Sequence, residues 1–136
     1  MIVVDASVLV DVLLRRPAAL DGVEQVVADR TDDALHAPEL IELESLNALR
    51  RLVRAGAVGA DGAGRAVADL EAVRLIRHPH APLRARVWSL RDALSAYDAS
   101  YLALAEALDA VLLTADRGLA TVAGQALGSP RVRLLA

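Results

Sequence analysis

Short apolar runs alternate along the chain with longer segments in which apolar positions recur every three or four residues. The first run, Ile2 to Val4, is β-branched and ends at Asp5. Ser7 then opens a helical stretch through Leu14, which Pro17 stops. A second helix is expected over Asp21 to Ala28, and a short strand over Ala34 to Ala37 before Pro38. Glu39 to Arg54 is strongly helical and stops at Gly56, and Asp61 to Ala72 forms another helix after a Gly-rich turn. Arg74 to His78 reads as a strand, Pro82 to Leu94 and Tyr97 to Leu108 as helices, and Ala110 to Thr114 as a strand. A helix over Asp116 to Ala126 and a strand over Val132 to Leu134 complete the pattern. Strands separated by helices imply an α/β fold, a three-layer α/β/α domain around a central, mostly parallel sheet.

Composition narrows what this scaffold can carry. At 136 residues, with no repeat or low-complexity linker, residues 1–136 are expected to form a single domain. Cysteine is absent, so any metal must be held by oxygen or by the three histidines. Hydrophobic content is 55%, yet the longest charge-free run, Gly118 to Pro130, is broken by glycine, glutamine and proline, so no membrane span is expected. The N-terminus meets a carboxylate after a few apolar residues and does not read as a signal peptide. A cytoplasmic location is expected.

A net charge of −3 argues against a protein that coats nucleic acid through a global positive field. The charges are segregated, however. Arg74, Arg77, Arg84, Arg86 and Arg91 fall in a stretch without Asp or Glu, and every basic residue of the chain is arginine. Arginine favours bidentate phosphate contacts, although a plain solvated face is the default reading.

The carboxylates hold the candidate chemistry. Functional groups in open parallel sheets collect beyond the carboxyl ends of strands, and Asp5 and Asp116 both follow strands. Both also stand at helix starts, where capping alone would explain them. Asp98 closes a capping box with Ser95. Glu44 lies inside a helix at the edge of its apolar arc, beside Asn47 and Arg51, and needs a partner there: Arg51 or a metal. Two unit charges about 4 Å apart interact by roughly 4 kcal/mol at an effective dielectric of 20. Carboxylates gathered together would therefore repel, and a hard divalent cation such as Mg²⁺ or Mn²⁺ would remove the penalty.

Four segments together resemble the motifs of the PIN domains, in order and at matching spacing. They are Met1-Ile-Val-Val-Asp5-Ala-Ser7, Pro38 to Arg51 with Glu44 followed by Asn47-Ala-Leu49, Tyr97-Asp98 through Glu106, and Leu112-Leu-Thr114-Ala-Asp116-Arg117-Gly118-Leu119. The similarity is strongest to VapC-type toxins, ribonucleases of toxin–antitoxin pairs. It implies a Mg²⁺- or Mn²⁺-dependent endoribonuclease in which Asp5, Glu44, Asp98 and Asp116 form the catalytic, metal-binding set. Ser7 and Thr114 would be supporting hydroxyls, and Asn47 would hold Glu44 in place. The resemblance further implies an RNA substrate, a homodimer, and a small VapB-like antitoxin that inserts a C-terminal segment into the acidic groove. Some members carry a further acid just after the last aspartate. Arg117 and Gly118 stand there instead, so a second metal would bind weakly or with help from RNA phosphate. Arg117, Arg84 and Arg86 are the candidate RNA contacts.

Other readings meet specific objections. A receiver-like phosphoacceptor domain would be expected to carry a lysine after its last strand, and the chain has none. A degenerate domain that binds RNA or a partner without cleaving it would have no need of all four acids. His78 and His80 lack a third ligand spaced to join them. Trp88 is expected in the core or at a subunit contact, and with aromatics at 2% base stacking is not expected to drive recognition.

Overall fold

Each apolar run is too short for a helix and too apolar to leave a face to water, so the runs assemble into one sheet covered on both sides. In the computed structural model, which describes residues 1–30 and 34–135, the strands are β1 (Ile2–Val4), β2 (Leu35–Pro38), β3 (Leu75–His78), β4 (Val111–Thr114) and β5 (Val132–Leu134). Residues 31–33 and 136, which the single-domain expectation includes, lie outside those described. The helices are α1 (Ala6–Leu13), α2 (Pro17–Ala28), α3 (Ile41–Arg54), α4 (Ala60–Leu70), α5 (Arg84–Ser89), α6 (Ala96–Ala107) and α7 (Arg117–Leu127).

All described strand pairs are parallel, in the order β3-β2-β1-β4-β5. After β1 the chain adds β2 and β3 on one side, then returns to place β4 and β5 on the other. The order therefore reverses between β1 and β4, where Val4 registers with Leu113. A crevice opens beyond the strand ends at such a point. A receiver-like fold would show the order 2-1-3-4-5, so that alternative is set aside. Helix α1 packs against α2, α3, α4 and β4, while α6 packs against β1, β2, β4, α5 and α7, giving the three expected layers. Ile2, Val3, Val4, Leu112 and Leu113 have no exposed surface, which is why these strands read as unbroken apolar runs.

Two details of local chemistry depart from the sequence reading. Pro17 does more than stop a helix: it is the first residue of α2, where its missing N–H costs nothing, so α2 starts earlier than Asp21. The chain turns between α1 and α2 through Arg15 at φ 58°. The helix expected over Pro82 to Leu94 is only the six residues of α5, preceded by a 3₁₀ turn at Ala81–Leu83. None of the α5 residues is fully buried, so little packing favours extending it, and Leu90 and Arg91 close tight turns onto Val87 and Trp88. Helix α3 ends as expected, with Gly56 at φ 72° and the Gly56 N–H donated to the Val53 carbonyl.

Candidate active site

The crevice beyond β1 and β4 is built from the two strand-end aspartates. Asp5 caps α1, its Oδ1 accepting the Val8 N–H at 3.1 Å and the Ser7 hydroxyl at 2.6 Å. Its Oδ2 accepts the Thr114 hydroxyl at 2.5 Å. The same Thr114 oxygen accepts the Asp116 N–H at 2.9 Å, and Ser7 Oγ accepts the Ala115 N–H at 3.0 Å. Two hydroxyls thus cross-link the ends of β1 and β4, and both oxygens of Asp5 are held in position. Asp5 is 4% exposed and Thr114 fully buried. Asp116 caps α7 through Oδ1, which accepts the Leu119 N–H at 2.9 Å, and its side chain is otherwise exposed. Capping and site-building coincide in both aspartates.

The helices supply the other two acids. Asp98 lies in the first turn of α6, where its N–H is donated to Ser95 Oγ at 3.2 Å, and its side chain is partly buried. Glu44, on α3, is partly buried, and its Oε2 accepts a long 3.5 Å bond from the Tyr101 hydroxyl of α6. Asp5, Ser7, Glu44, Asn47, Asp98 and Asp116 line a single cavity of about 690 Å³.

The electrostatics show that these acids sense one another. Burial is the main force pushing Asp5 up; the Ser7, Thr114 and Val8 bonds oppose it, and the Asp116 charge adds to it. Glu44 is pushed up to about 7 by burial, then by the charges of Asp98 and Asp5. Asp98 is raised by burial, then by Asp116 and Asp5. Burial raises the Tyr101 phenol, reinforced by Glu44 and Asp5. Carboxylates raised by burial and by one another's charge gain from a cation, which offsets both. Among the described residues no three acids or histidines are drawn in to chelating spacing; the carboxylates ring a cavity instead. Oxygen-only donors around a space of that size fit Mg²⁺ or Mn²⁺ carrying waters, which bind through few carboxylates and reluctantly dehydrate.

The remaining predicted residues divide. Asn47 lines the cavity and is exposed, but the hydrogen-bond partner of Glu44 among the described residues is Tyr101 rather than Asn47. Arg51 also lines the cavity; it is exposed, and its charge lowers Glu44 less than any other influence on that group. Arg117 is exposed beside Asp116. Arg84 lies exposed on a neighbouring groove, whereas Arg86 is engaged by Glu106 at 2.9 Å and by Ser89 at 3.2 Å. The histidines serve the sheet edge: His36 Nδ1 and His78 Nε2 are 3.0 Å apart, and His80 Nε2 accepts the Leu40 N–H at 3.0 Å. Trp88 is 67% exposed, so the core placement is wrong. Sequence reasoning passed over Tyr101, which stands three residues after Asp98 and so on the same face of α6; helical spacing was the available signal.

The chain as a whole is similar to known proteins. Residues 2–125 match the PIN domain family model. The chain is 42% identical to Ribonuclease VapC9 of Mycobacterium tuberculosis over 116 residues, covering 85% of this chain and 86% of that protein. It is 43% identical to Ribonuclease VapC3 of the same organism, covering 88% and 85%. Among solved structures, PAE2754 from Pyrobaculum aerophilum superposes with a TM-score of 0.63 at 29% identity, covering 88% of this chain and 84% of that one.

Proposed function

The chain belongs to the PIN-domain family, and on that premise we propose that it is a Mg²⁺- or Mn²⁺-dependent endoribonuclease, the toxin of a toxin–antitoxin pair. The observation that carries the reading is the convergence of Asp5, Glu44, Asp98 and Asp116, from four separate stretches of chain, on one cavity, where burial and then neighbouring carboxylate charge raise Asp5, Glu44 and Asp98. The ribonuclease names of relatives above 40% identity support the reaction class.

Asp5, Asp98 and Asp116 are the residues that would hold the cation, with Glu44 completing the set. When bound, the ion supplies Lewis acidity toward a phosphodiester oxygen and makes water a better nucleophile near neutral pH. Ser7 and Thr114 keep Asp5 from turning away, so its carboxylate needs little reordering on binding. One of the four carboxylates would also accept the proton that the attacking water gives up. Arg51, which lines the cavity, and Arg117, exposed beside Asp116, are the candidate contacts to the RNA backbone, whereas Arg86 would have to exchange its exposed pairing to Glu106 for a phosphate. The VapC resemblance carries the rest of the reading: a homodimer in the cytoplasm, inhibited by a small VapB-like antitoxin. Among the described residues no helix is long and apolar enough to cross a membrane.

The test is cleavage of total RNA by purified protein in Mg²⁺ or Mn²⁺, with EDTA as control. Cleavage that needs metal and disappears in Asp5→Asn is expected. Cleavage surviving either EDTA or that substitution would remove the assignment.

A further inference from the structure

Beside the acidic cavity runs a groove of about 660 Å³ that shares Leu40 and Tyr97 with it. Its character is the opposite. Arg84, Arg91 and His80 line it, with no carboxylate among the described residues of its wall. Its two aromatic side chains are turned outward: Trp88 is 67% and Tyr97 65% exposed. Arg91 stacks its guanidinium over one face of the indole, 4.8 Å from the ring centre. An apolar, aromatic wall with only cationic charge suits unpaired nucleobases with their phosphates, because every base has a stackable face and each phosphate needs a counter-charge.

We propose that this groove is the subsite for the single-stranded nucleotides flanking the scissile phosphate, with bases stacking on Trp88 and Tyr97 and the backbone meeting Arg84 and Arg91. The proposal rests on the ribonuclease reading of the adjoining cavity. Continuity carries it: a strand whose phosphate lies among four carboxylates can leave across Leu40, Ser95 and Tyr97, which line both spaces, and on that side the wall changes from acidic to cationic. Arg84 is thereby separated from Arg86, which Glu106 already holds. Low aromatic content argues against stacking as the main force of recognition; in this groove it would add to it, because the only tryptophan of the chain lies on its surface rather than in the core.

Being the sole tryptophan, Trp88 reports on its own occupancy. A short phosphorothioate oligoribonucleotide of mixed sequence, titrated in Mg²⁺ against the full chain, is expected to quench its emission saturably, and Arg84→Ala to weaken that binding several-fold. In cleavage assays Trp88→Ala should raise KM by roughly fivefold to a hundredfold, as loss of a stacked base does, with kcat little changed, and Trp88→Tyr should recover most of the loss. Melting curves check that the variants fold; the quenching needs no variant. Emission indifferent to RNA, or an unchanged KM in Trp88→Ala, overturns the proposal and leaves the groove to a partner protein or a second copy of the chain. Wild-type protein that cleaves nothing would instead remove the ribonuclease reading, and quenching would still decide whether RNA enters the groove.

Discussion

The aspartates at the strand ends and the acids on the helices reach one cavity by different physics. Asp5 is fixed by three hydrogen bonds that span β1, α1 and β4, and the Asp116 backbone is tied into the same hydroxyl pair. Parallel strand ends deep in the core are the stiffest part of such a fold, so this half of the site is fixed before any ligand arrives. Asp98 and Glu44 have no such scaffold. Glu44 has one long bond to Tyr101, and both acids are governed chiefly by burial and then by neighbouring charges, those of Asp98 and Asp5 at Glu44 and those of Asp116 and Asp5 at Asp98. One half of the site supplies position; the other supplies adjustable charge.

The sharpest way to break that contrast is at Asp5. Asp5→Asn should lower cleavage by about a hundredfold or more, while metal-free melting at neutral pH holds or rises, because a buried charge with a raised protonation point is removed. A fall in both would show that Asp5 is mainly a structural cap. Next in size is Thr114→Val, which removes the bridging hydroxyl at nearly constant volume. Metal affinity or activity is expected to drop by about 10- to 100-fold, and stability by about 1–3 kcal/mol from the unsatisfied buried acceptor, read by Mg²⁺ titration and urea unfolding. Tyr101→Phe, the equivalent change in the helical half, should cost clearly less in both readouts; an equal loss would erase the distinction.

The pH dependence follows from the raised groups. Glu44 titrates near 7 in the folded protein against 4.5 in the unfolded chain, so the folded state binds more protons between those values. Stability of the metal-free protein is therefore fully present below 4.5 and is lost as pH rises through about 7; Asp5 and Asp98, also raised, act in the same direction. Metal affinity should climb over the same range, since protons must leave. Saturating Mg²⁺ should flatten the stability profile, and a metal-free profile that rises with pH would contradict it. The smallest effect is expected at Ser45, whose buried hydroxyl on α3 has no partner among the described residues. Ser45→Ala should be neutral or stabilising by up to about 1 kcal/mol in urea unfolding without changing activity.

Much of this could be read from the chain because periodicity and termini agree. Ile2 to Val4 and Val111 to Thr114 announce buried parallel strands, and an aspartate after each marks the crevice. The strand over Val132 to Leu134 and the end of α3 at Arg54 fell as expected. What escaped was decided by tertiary contacts. Nothing local says that α5 stops at Ser89, since its weak apolar stripe is abandoned only because little packs on it. The exposure of Trp88 is invisible for the same reason, as burial of a large aromatic is the general rule. The pairing of Arg86 with Glu106 depended on which helix lay opposite, which spacing along one helix cannot reveal.

The central claim is that four carboxylates share one cation, and Mn²⁺ binding measured without RNA, by calorimetry with paramagnetic resonance of the bound ion, tests it most directly. Wild-type protein should bind, and Asp5→Asn, Asp98→Asn, Asp116→Asn and Glu44→Gln should each weaken binding by about tenfold or more, with the two strand-end substitutions the most severe. Any of the four variants binding Mn²⁺ as tightly as wild type would contradict the account.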